Sequence, residues 1–82
     1  MNWVVDVLAP DKTVIKRFNY ELSSVYELAE RLKVDSKKNK WHKDQIYLDI
    51  ISMNGVKPTK VMIMTLNFNF RKRIMKSRIR RF

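Results

Sequence analysis

LSSVYELAERLK, residues Leu22 to Lys33, is the stretch from which the rest of the chain can be placed. Leu22, Val25, Leu28, Ala29 and Leu32 recur at i, i+3, i+6, i+7 and i+10, the apolar stripe of a 3.6-residue helix. Ser24 and Glu27 stand at capping-box spacing, so the spacing predicts a helix start at Ser24 and a helix over 24–33. Glu27–Arg31 and Glu30–Lys33 add helix-neighbour ion pairs, each worth only about 0.2–0.5 kcal/mol. A single apolar stripe needs a surface to cover, and the flanking sequence offers strands.

Upstream, Trp3, Val5 and Val7 alternate with Val4 and Asp6 in a β-branched and aromatic run, the period of a strand. Pro10, Asp11 and Lys12 supply turn chemistry, and Thr13–Phe18 reads as the returning strand of a hairpin. This hairpin followed by a helix resembles the opening of a ubiquitin-like β-grasp fold, a likeness of topology and spacing carried by no motif.

Downstream, residues 35–43 (DSKKNKWHK) are polar, basic and aperiodic, and are expected to form a loop. Gln45–Ser52 alternates again, with Ile46, Leu48 and Ile50 on one face. Asn54-Gly55 and Pro58 punctuate the chain as a hairpin loop does. Lys60–Phe70 (KVMIMTLNFNF) places Met62, Met64, Leu66, Phe68 and Phe70 on one face of a long strand, with Val61, Ile63, Thr65, Asn67 and Asn69 on the other. The expected architecture is α+β. Residues 1–70 form a compact ββαββ domain, a mostly antiparallel sheet with one helix on one face, and residues 71–82 a basic, helical C-terminal segment.

Charge is distributed unevenly. Residues 1–49 hold all eight carboxylates and nine of the eighteen Lys and Arg, whereas residues 50–82 hold the other nine and no acid. A single-sign field repels itself, so a concentration of cations points to an anionic partner. The alternative is a solubility tail or a compositional bias toward Lys and Asn.

Catalytic material is sparse. There is no cysteine, His42 is the sole histidine, Gly55 the sole glycine, and the carboxylates are scattered singly. Thiolate zinc sites, thiol nucleophiles and phosphate-binding glycine loops are thereby excluded. No enzyme activity, metal or cofactor is expected. The N-terminus lacks a signal-peptide pattern and no apolar run is long enough to span a bilayer, so a cytoplasmic protein is expected.

Two cation clusters carry the functional expectation. Lys37, Lys38, Lys40 and Lys43 surround Trp41; the lysines suit phosphates and the indole suits a stacked base, while the competing reading has Trp41 cap the core. Arg71, Lys72, Arg73, Lys76, Arg78, Arg80 and Arg81 form the second cluster, in which five of seven cations carry the planar guanidinium that grips phosphate. The resulting expectation is a largely sequence-independent nucleic-acid-binding protein, for DNA or RNA. The alternative is a stand-alone, phage-type inhibitor or adaptor that docks on an acidic protein surface. A membrane ranks below both, since the Met75, Ile79 and Phe82 stripe is short and lacks Trp.

Overall fold

The computed structural model describes residues 1–41 and 45–79, the side chains of 75–79 excepted. Three strands and two helices follow in the order β1 (Asn2–Leu8), β2 (Val14–Glu21), α1 (Val25–Lys38), β3 (Tyr47–Met53) and α2 (Lys60–Ile79). The strands form one antiparallel sheet in the order β2-β1-β3. The fold is α+β, but its order is ββαβα: the strand expected over 60–70 is the first half of a helix. The likeness to a grasp fold ends with the hairpin and α1, because a single strand antiparallel to β1 and a second helix follow.

β1 lies in the middle and is the most buried strand. Trp3, Val5 and Val7 point inward, and the Trp3 indole N–H donates to the Leu22 carbonyl at 3.0 Å. Its opposite face carries Asp6, 4% exposed, which accepts from Nε and Nη2 of Arg17 on β2 at 2.6 and 2.9 Å. A carboxylate this buried needs such a paired partner. In the hairpin turn Asp11 accepts from the backbone N–H and hydroxyl of Thr13, which holds its carboxyl below the usual carboxylate range.

α1 buries the stripe read from sequence: Val25, Leu28, Ala29 and Leu32 all lie in the core. Ser24 caps it, its Oγ accepting from the Glu27 N–H at 3.3 Å, while Glu27 reaches back to the N–H and hydroxyl of Ser23. Those two bonds hold the Glu27 carboxyl below its ordinary range. The helix continues one turn past its expected end, because Asp35 and Ser36 find tertiary or local partners. Asp35 accepts from the Tyr20 hydroxyl of β2, and the buried Ser36 hydroxyl donates to the Lys33 carbonyl at 2.7 Å.

The Asn54-Gly55 turn forms as read. Both residues have positive φ (52° and 77°), and Met53 and Val56 exchange backbone bonds of 2.8 and 3.0 Å across it. The returning arm, however, is a single bridge at Val56. Lys57 and Pro58 then end the pairing, since proline cannot donate to a ladder. Thr59 opens α2, its carbonyl accepting from the N–H groups of Met62 and Ile63. Inside α2, Ile63, Leu66, Asn67, Phe70 and Ile74 recur at i, i+3, i+4, i+7 and i+11 and face the core. The boundary expected between residues 70 and 71 therefore falls inside a continuous helix.

This helix lies against β3 and caps the start of its free edge. The Asn67 amide pairs with both backbone groups of Leu48, its Oδ1 accepting from the Leu48 N–H at 2.9 Å and its Nδ2 donating to the Leu48 carbonyl at 2.7 Å. One turn later Arg71 Nη2 donates to the Ile46 carbonyl at 2.6 Å. The helix thus satisfies groups that a fourth strand would otherwise meet.

Candidate functional site

The first expected cation cluster sits where α1 ends. Lys37 and Lys38 occupy the last turn, with Asn39 as C-cap. Lys40 follows with φ 56°, its N–H donating to the Lys37 carbonyl, and the Trp41 N–H reaches back to the Ser36 carbonyl at 3.1 Å. This paired bonding is a Schellman termination, in which the left-handed position is usually glycine. The geometry turns three lysines outward: Lys37, Lys38 and Lys40 are all exposed.

Trp41 turns the other way. It is half-buried and meets the Phe18 ring edge-on, centroids 5.4 Å apart at 69°. Phe18 in turn stacks on Tyr20 at 5.5 Å, and this aromatic row is bracketed by Lys16 over Phe18 and Arg31 over Tyr20. Burial and the bond to Asp35 push the Tyr20 hydroxyl well above its ordinary value. The indole packs against the core as in the second reading of this residue, in contact with Phe18. Lys43 lies outside the described residues, as does His42.

The second cluster divides along α2. Arg71 binds the β3 edge, and Arg73 is engaged by Glu30 of α1 at 2.7 Å and by the Tyr26 carbonyl. These two guanidiniums join elements of the fold. Lys72 between them is exposed. Lys76 and Arg78 belong to the last turns of α2 with side chains beyond the described set, and Arg80 and Arg81 lie outside it.

How the charges pair decides the electrostatics. Among the described residues, the ion pairs are made by the N-terminal amine, Arg17, Arg31 and Arg73, with Glu21, Asp6, Asp35 and Glu30. No lysine among the described residues pairs with a carboxylate. Asp11 and Glu27 are held in the local turn and cap described above. The carboxylates of the chain are largely committed to holding the fold, and the lysines are left to solvent. A cleft of ≈ 680 Å³ between the β1–β2 turn and the start of α2 is lined by Lys12 and Lys60 together with Asp49, a carboxylate not drawn into a bridge among the described residues. Among the described residues no cluster of His, Cys, Asp or Glu could hold a metal. None of the described helices is long and apolar enough to cross a membrane.

One feature escaped the sequence reading. Val61, Met64 and Phe68 form an outward stripe on α2, and Tyr26 of α1 stands exposed beside it. Their i, i+3, i+7 spacing is visible in the sequence, but assignment of the segment to a strand concealed it. Comparison with known proteins finds no matching family model, curated protein or solved structure.

Proposed function

We propose that the protein is a non-enzymatic nucleic-acid-binding module of little sequence preference, gripping phosphates with lysines at the C-terminal end of α1 and with Lys72 midway along α2. The observation that carries this reading is the division of labour among charges. Six of the described carboxylates are consumed in caps, turns and bridges, while lysines at Lys37, Lys38, Lys40 and Lys72 face solvent without an acidic partner among the described residues. Fields of this kind bind phosphate backbones by releasing condensed counterions, and a point-charge ammonium does this without reading bases. Arg71, Arg73 and Trp41 enter the proposal as supports, since each holds a contact within the fold.

Titration of labelled oligonucleotides at several salt concentrations tests it. If about four to six phosphates are neutralised, log K falls with log[salt] with a slope near −3 to −5. Replacing Lys37, Lys38 and Lys40 together by Gln flattens the slope by about 2 units and leaves the fold in place, because all three are exposed. Binding that is indifferent to salt, or unchanged in the triple variant, overturns the assignment.

A further inference from the structure

We propose that the outward face of α2 is a docking site for an acidic, amphipathic segment of another protein, its apolar groove distinct from the phosphate-gripping lysines except for Lys72, which borders both. Val61 is 71% exposed, Met64 67%, Phe68 67% and Tyr26 56%. Isolated exposed apolar residues are ordinary, but four large ones converging on one groove mark an interaction surface. The groove, ≈ 500 Å³, runs between Tyr26 and the α2 stripe, with Thr65 and Asn69 along it. Its shape follows from the two helices: α1 supplies one wall and successive turns of α2 the other. That is the form in which an apolar helix face is received.

Charge selects the occupant. Lys60 and Lys72 are exposed on α2 one turn before Met64 and one turn after Phe68, and residues 50–82 contain no carboxylate side chain. Of the acids beside Tyr26 on α1, Glu30 is offset by Arg73, while Glu27 keeps its charge but is turned back onto Ser23 at the helix start. An occupant therefore meets apolar side chains flanked by cations, which calls for apolar anchors flanked by carboxylates. A second copy of this chain fits poorly, since it would set these lysines against their own equivalents in two molecules of net charge +10. A nucleic acid would leave most of the surface unused, because Val61 and Met64 offer no flat face on which a base could stack.

The test uses the full chain with methyl-labelled Val and Met and three probes. These are a synthetic helical peptide with leucines on one face and glutamates elsewhere, the same peptide with lysines for the glutamates, and oligo(dT). The acidic peptide is expected to shift the Val61 and Met64 methyl resonances, and the lysine peptide to leave them in place. Phe68→Ser and Met64→Ser should each weaken the acidic peptide by roughly 10-fold or more while leaving oligo(dT) binding unchanged. Both residues are exposed, so unchanged dispersion of the remaining spectrum verifies folding in each variant. Absence of shifts with the acidic peptide, equal binding of the lysine peptide, or oligo(dT) shifting the same methyls overturns the proposal. So does a concentration-dependent dimer in sedimentation that Phe68→Ser dissolves, since the face would then belong to a second copy.

Discussion

Replacing Asn67 by leucine removes the amide that caps Leu48 on β3 and keeps the branched outline and heavy-atom count of the side chain. In the native fold that amide satisfies both the N–H and the carbonyl of Leu48, a residue with no solvent exposure. Leucine leaves both groups without a partner. A buried backbone group deprived of its bond costs about 1–3 kcal/mol, so two cost roughly 2–5 kcal/mol once some relaxation toward water is allowed. Domains of this size hold about 4–12 kcal/mol in all, so the loss is a large share of the total. Urea unfolding followed by circular dichroism gives the magnitude, with an expected fall in midpoint of about 2 M or more at an m-value near 1 kcal/mol/M. Asn69→Leu is the internal control. Asn69 donates only to the Thr65 carbonyl of its own helix, so its loss should cost less than about 1 kcal/mol. In a strand the two asparagines would share one face and respond alike. Equal effects from the two substitutions, or a negligible effect at Asn67, would refute the helical pairing.

Lys40 holds φ 56° at the position after the α1 cap, where glycine is at ease, so Lys40→Gly should raise stability by roughly 1 kcal/mol while slightly weakening oligonucleotide binding; calorimetry and anisotropy read the two opposite signs. Tyr20 has its hydroxyl pushed above the ordinary value of 10.0, chiefly by burial and then by the bond to Asp35. A raised folded value means that its contribution is fully present below the unfolded value and declines as pH rises through the alkaline range. Stability should therefore fall above pH 10, by no more than about 1.4 kcal/mol per pH unit from this group, and Tyr20→Phe should remove that part of the slope. A slope unchanged in the variant would show that Tyr20 is not the group responsible.

The legible parts of the fold were those in which one periodicity had no rival. The Leu22–Leu32 stripe, the alternation of Trp3, Val5 and Val7, and the Asn54-Gly55 turn each admit one local reading, and each is present. Lys60–Phe70 admits two. Its apolar residues lie on both sides of α2, buried at Leu66 and Phe70 and exposed at Met64 and Phe68, so the helical stripe is blurred and alternation stands out. Asn67 and Asn69 are indistinguishable in sequence, and only the proximity of Leu48 separates an edge cap from a surface amide. The last turn of α1 was missed for a related reason: Asp35 and Ser36 look like loop residues until Tyr20, far away in the chain, supplies a partner. At the candidate site, charge type was readable and commitment was not. Nothing local tells Arg71, bound to the Ile46 carbonyl, from the exposed Lys72 beside it.

The two borders of the sheet are unlike, and that difference sets a limit on assembly. α2 caps the start of β3 at Leu48 through Asn67 and holds Ile46 just before it through Arg71, whereas among the described residues no side chain bonds the outward backbone of β2, whose Val14 and Ile15 are 55% and 45% exposed. Lys16 and Arg17 on that strand discourage casual pairing by charge alone. A strand that adds meets least obstruction beside β2. If that strand came from another molecule of the same kind, the joined sheet would carry α2 against its outer border at each end. Further growth would have to pass the helix, so edge-to-edge addition through β2 favours a pair over a fibril.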